Sequence, residues 1–200
     1  MTSGSDMATA KRKIPTHMTV DEFLAWVGGN GRYQLVDGEV RAMSPACPTH
    51  ARIQTRLARF LDAHLDVPGN PCNAMTEPGI EVRINARTNV RVPDIAASCV
   101  ADAAGQTTLP DPILLIEIMS PGNARKTWEN VWAYTTIPTV MEIVVIQSAL
   151  IEAEIFRRQG DGAWPKTSEK INADDSLRLA TVTYEVPLRA LYASTHLAKS

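Results

Sequence analysis

The run Ile113-Leu114-Leu115-Ile116-Glu117-Ile118-Met119 most constrains what this chain can become. Seven residues dense in β-branched and aliphatic side chains, closed by Ser120-Pro121-Gly122, read as a buried strand. One carboxylate sits inside it. Alternation puts Glu117 on one face with Leu115 and Met119, and Leu114, Ile116 and Ile118 on the other. A carboxylate within a β-core is costly unless it meets a cation or hydrogen-bond donors. If its face looked onto solvent, Glu117 would be an ordinary exposed residue of a half-covered strand. A second acid, Asp94, follows Pro93, a dipeptide equally at home in a turn. Together, two acids at neighbouring strand ends can share one hard cation through oxygen.

The rest of the chain supplies a setting for that strand. Thr19, with Glu22 three residues later, opens a short capped helix over Val20–Val27, ended by Gly28, Gly29 and Gly31. Tyr33–Val36 and Glu39–Met43 flank Asp37-Gly38, a strong hairpin signal. Ile53, Leu57, Phe60, Leu61 and Leu65 recur at helical spacing, with Arg52, Arg56 and Arg59 on other faces. Strand-like runs follow at Asn73–Met75, Gly79–Ile84 and Arg91–Val100, then a loop from Ala101 to Pro112. Beyond the Glu117 strand come a helix from Ala124 to Tyr134 and strands at Val140–Ile146 and Ile151–Arg157. The alternating Leu177 and Leu179 and an amphipathic segment from Val186 to Tyr192 close the chain. Interleaved strands and helices of this kind predict an α/β (α+β) fold, a mixed central sheet flanked by helices. At 200 residues the chain is sized for one domain, expected over 18–193 between an N-terminal tail (1–17) and a C-terminal one (194–200).

Charge and cysteine content narrow the class further. A net charge of −2 carries no basic excess of the kind that marks a chromatin protein, yet it permits a local basic cleft. The Lys11-Arg12-Lys13 cluster reads as part of a solvated tail. Cys47, Cys72 and Cys99 are odd in number and lack metal-knuckle spacing, so they are expected to be small buried hydrophobes in a reducing compartment. The N-terminus has no apolar core of a signal peptide, and no run of 18 apolar residues follows, so a cytoplasmic protein with no membrane partner is expected.

The residues Tyr33–Glu39, Met43-Ser44-Pro45, His50, Pro93-Asp94, Ile116–Pro121, Tyr134, Ile137-Pro138 and Glu142 occur in an order that resembles the Uma family. This is a bacterial family of restriction-endonuclease-like proteins, with a fold of the PD-(D/E)xK nuclease type, and the likeness runs from Met18 to Tyr192. The resemblance implies a metal-dependent endonuclease on a four-stranded mixed core sheet, with Asp94 and Glu117 holding Mg²⁺ or Mn²⁺ and the Ile118 carbonyl as a further ligand. It implies nucleic acid, DNA in particular, as partner, and a homodimer where both strands are cut. Glu39 resembles an upstream acid that approaches the same site, and His50 a recurrent histidine near the start of the long helix. Gln34 stands where the family often has glutamate.

The chain departs from the pattern where the nuclease motif has its lysine, because that position is Met119. Many relatives carry instead an acid and a lysine on the following helix; here those places fall on Thr127 and Val131, or, in a helix one residue shorter, on Lys126 and Asn130. Lys126, and beside it Arg125, are the cations able to reach a phosphate from the helix start. Three readings follow: a metal-dependent nuclease using Asp94, Glu117, Glu39 and Lys126; a degenerate nuclease-fold module that binds nucleic acid or regulates; and an interaction domain whose acids pair with Arg83 or Arg91.

Overall fold

A computed structural model describes residues 15–26 and 32–199. The Lys11-Arg12-Lys13 cluster and Gly28, Gly29 and Gly31 lie outside the described residues.

The strand containing Glu117 runs through the middle of the molecule. Helix α1 (Val20–Ala25) opens with the expected reciprocal cap, Thr19 accepting from the Glu22 amide while Glu22 accepts from Thr19. Strands β1 (Tyr33–Val36) and β2 (Glu39–Ala42) pair across Asp37-Gly38, both with positive φ, which Gly38 adopts without a Cβ penalty. Helix α2 (Pro48–Leu65) begins with proline at its first position, where no amide donor is needed. Next come β3 (Asn73–Thr76), β4 (Ile80–Glu81), β5 (Val90–Arg91), β6 (Ile95–Ser98) and β7 (Pro112–Met119). Helix α3 (Ala124–Tyr134) leads to β8 (Glu142–Gln147), β9 (Glu152–Arg157), β10 (Glu169–Asn172), β11 (Ser176–Leu179), β12 (Tyr184–Pro187) and α4 (Leu188–Leu191).

The main sheet has six strands in the order β10-β9-β8-β7-β6-β3, parallel only between β7 and β8. Helix α3 is the crossover that a parallel pair requires. A smaller sheet, β2-β1-β5-β4, packs beside it, and β11 and β12 form a separate hairpin. One face of the main sheet presents Leu114, Ile116 and Ile118 to Ile53, Leu57, Leu61 and Leu65 of α2. The other presents Leu115 and Met119 to Val131 and Tyr134 of α3. Glu117 therefore lies on a helix-covered face, 6% exposed.

Four expectations are corrected. The run Arg91–Val100 is two strands in two sheets, because Pro93 has no amide to donate and the chain crosses from β5 to β6 there. The predicted strand Gly79–Ile84 shrinks to Ile80–Glu81, and the core sheet has six strands in place of four. The cysteines are not three buried thiols: Cys72 and Cys99 form a disulfide and Cys47 is exposed. The pairing Asn73↔Ser98 sets Cys72 and Cys99 at the same end of the β3–β6 ladder, a juxtaposition that exists only once the strands pair. The disulfide predicts that the native protein under non-reducing conditions alkylates at one cysteine, and at three after denaturation and reduction. Mass spectrometry of intact protein after iodoacetamide treatment reads this directly; three adducts before reduction would refute the disulfide.

Candidate active site: two carboxylates served by two helices

Asp94 and Glu117 meet because of strand register. Ile95 pairs with Ile116 in the antiparallel β6–β7 ladder, so the residue before Ile95 faces the residue after Ile116. Where a further ladder bond would form, the Asp94 side chain intervenes, and its Oδ2 accepts from the Ile118 amide at 2.6 Å. Both acids are less than a tenth exposed.

Each acidic residue is gripped by one helix, through residues four apart on one face. From α2, His50 Nε2 donates to Asp94 Oδ1 at 2.9 Å, and Gln54 Nε2 donates to the Asp94 main-chain carbonyl at 3.0 Å. From α3, Asn130 Nδ2 donates to Glu117 Oε1 at 3.1 Å and Tyr134 Oη donates to the same oxygen at 2.7 Å. Both bonds fall on Oε1, so Oε2 carries the remaining coordinating capacity. Lys126 lies one turn before Asn130 on α3, and it lines the cleft into which both acids open. That cleft, about 350 Å³, is also walled by Cys47, Ser120 and Thr127, with Arg32 and Glu77 paired among its lining residues.

Withdrawal from water and the closeness of the two acids set the electrostatics of the site. Burial, reinforced by the negative charge of Asp94, pushes the Glu117 carboxyl up to about 8, against the pull of Tyr134 and Asn130. Burial also lowers the Lys126 ammonium, with Glu117 opposing that shift. Tyr134 is raised well above the usual phenol range, first by burial and then by Glu117, so its hydroxyl stays a donor. Cys47, at the head of α2, is lowered chiefly by the His50 amide.

The donor set suits a small oxygen-seeking cation. Among the described residues no three His, Cys, Asp or Glu side chains converge on one point. Two carboxylates with open cleft beside them match the preference of Mg²⁺ for one or two protein carboxylates, several waters and a substrate phosphate.

The other candidates separate clearly. Glu39 does not line the cleft: its carboxylate is exposed and pairs with Arg41, which also reaches Glu129. Gln34 is fully buried in β1, with no hydrogen-bond partner for either amide atom. Thr127 reaches the cleft wall, whereas Val131 packs into the core beneath α3. Lys126, Thr127 and Asn130 are the polar residues of α3 that line the cleft. Neither Arg83 nor Arg91 makes an ion pair with either acid among the described residues. Sequence reasoning passed over Gln54, and it left the parts played by Asn130 and Tyr134 undefined. The spacings His50/Gln54 and Lys126/Asn130/Tyr134, polar at intervals of four, were the available signal.

A mixed sheet flanked by helices on both faces, parallel only between β7 and β8, makes an α/β (α+β) fold. The model of the Uma2 family, described as "Putative restriction endonuclease", matches residues 20–188, and the chain belongs to that family. Its fold is similar to the crystal structure of a "putative nuclease belonging to DUF820" from Anabaena variabilis, with a TM-score of 0.70 and 17% identity, over 88% of this chain and 98% of that one. None of the curated proteins matches the chain. No helix among the described residues is long and apolar enough to cross a membrane.

Proposed function

We propose that this protein is a Mg²⁺- or Mn²⁺-dependent endonuclease that hydrolyses phosphodiester bonds in nucleic acid, with DNA as substrate. The observation that carries the reading is the convergence of Asp94 and Glu117 in one cleft under Lys126. Asp94 and Glu117 Oε2 would hold the cation. Bound there, such a cation would supply water activation and would offset charge developing on the phosphate. His50 and the Ile118 amide fix the Asp94 carboxylate, and Asn130 with Tyr134 fixes Glu117. Lys126 takes the part of the absent motif lysine, offsetting phosphate charge from one helical turn before Asn130. Action as a homodimer would place two such clefts on the two strands of a duplex.

The test is calorimetric titration of Mn²⁺ into the protein, followed by incubation of the same samples with plasmid and single-stranded DNA. Binding with cation-dependent cleavage is expected. Lys126→Ala should then lower the cleavage rate by roughly a hundredfold, typical of one lost charge-stabilising donor, while changing Mn²⁺ affinity less than about threefold. An unchanged cleavage rate would remove Lys126 from the reaction.

One observation favours a second reading. Met119 and, by either alignment of the helix, Val131 or Asn130 stand where the family pattern has lysine, and all are uncharged, as in a module that binds nucleic acid without cutting it. That reading expects salt-dependent DNA binding, cation affinity and no turnover.

A further inference from the structure

Arg91 is the most deeply buried arginine near the cleft, 4% exposed, and among the described residues it has no carboxylate within ion-pair distance. Its Nε has no partner, and neither do the amide atoms of Gln34, which lies beside it because Leu35 pairs with Val90. A buried, unpaired guanidinium is costly, so its remaining contacts deserve an account. Nη2 donates to Asn89 Oδ1 at 3.0 Å, and Nη1 to Asn130 Oδ1 at 3.4 Å. Asn89 is itself tied to the β1–β2 turn, accepting from the Asp37 amide and donating to Asp37 Oδ1.

The contact with Asn130 decides which way that amide points. Guanidinium has donors only, so the Asn130 atom facing it is the oxygen. The nitrogen then faces Glu117, where it donates to Oε1. Turned about, the amide would set N–H against a cation and a carbonyl against a carboxylate. We infer that Arg91 is a positioning residue: it holds Asn130 in the orientation that, with Tyr134, commits Glu117 Oε1 to the protein and leaves Oε2 for the cation. This rests on the metal-dependent reading above. It also gives the hairpin turn at Asp37 a path to the cleft, through Asn89, Arg91 and Asn130.

A double-mutant cycle on Mn²⁺ affinity tests it. Arg91→Met removes a buried charge that has no acid partner, so the variant is expected to fold, which its circular dichroism melt will show. Arg91→Met and Asn130→Ala should each weaken Mn²⁺ binding roughly tenfold, the usual cost of losing an outer support of a ligand. The double variant should bind no more weakly than Asn130→Ala alone, because Arg91 acts through Asn130. A product near a hundredfold, or wild-type affinity in Arg91→Met, overturns the inference while leaving the metal site standing. If the wild type binds no Mn²⁺, the metal reading fails and the inference with it. Should Arg91→Met not fold, Arg91→Lys keeps the charge but loses the two-pronged reach, and the same loss of affinity is expected. As a readout without metal, the Asn130 side-chain amide resonances, assigned by their absence in Asn130→Ala, should move in the Arg91 variant; unmoved resonances also overturn it.

Discussion

Asp94→Asn is expected to abolish cation-dependent cleavage and to weaken Mn²⁺ binding by at least about a hundredfold, above the range seen when only an outer support of a ligand is lost. The substitution is close to isosteric. The new amide oxygen can keep the Ile118 N–H, and its NH₂ can meet His50 in the other tautomer, so fold and register should survive. What disappears is the negative charge and one oxygen ligand. Calorimetry with Mn²⁺ and a plasmid nicking assay measure both parts. Asp94→Asn that binds Mn²⁺ like wild type would leave the two acids as structural residues. A third consequence is independent of metal: the charge of Asp94 is one cause of the raised Glu117 carboxyl, so its removal should bring that titration down.

The second large effect concerns stability against pH. Glu117 titrates near 8 in the folded protein, against an ordinary value of 4.5. The native state therefore holds this proton more tightly than the unfolded chain does. Stability from this group is fully present below about 4.5 and is lost as pH rises through 8. Glu117→Gln keeps an acceptor for Asn130 and Tyr134 but cannot ionise. The variant should match wild type near pH 4.5 and exceed it by on the order of 3–5 kcal/mol at pH 9, each pKa unit being worth about 1.4 kcal/mol. Urea unfolding between pH 5 and 9 measures the difference, and parallel stability curves would contradict it. Mn²⁺ should flatten the wild-type curve at high pH, since a ligand that binds the ionised native form stabilises it.

Local signals carried much of the architecture. Thr19 and Glu22 form the cap that their spacing predicts, and Asp37-Gly38 makes the hairpin. Helix α3 spans Ala124 to Tyr134 as read from its pattern. Each of these depends on residues within a few positions of one another. Strands Glu169–Asn172 and Tyr184–Pro187 were missed because they bury almost nothing: Ile171 in the first and Val186 in the second are their only fully covered side chains. Glu39 was placed at the site by likeness to an upstream acid. In the fold it follows the turn on β2, and its nearest cation, Arg41, holds it at the surface.

The chain's own order determined that Glu117 would be a carboxylate within an apolar run and that Asp94 would follow a proline inside a strand-like stretch. Only the tertiary structure decided that they face each other, because the β6–β7 register joins residues more than twenty positions apart. The packing of α2 and α3 likewise decided which helix serves which acid. It turned Lys126 and Asn130 toward the cleft while Val131 went to the core, and it brought Arg91 from the smaller sheet to Asn130. Side-chain orientation across elements depends on where whole helices and sheets come to rest, and a periodic pattern in one segment records only which of its own faces is apolar.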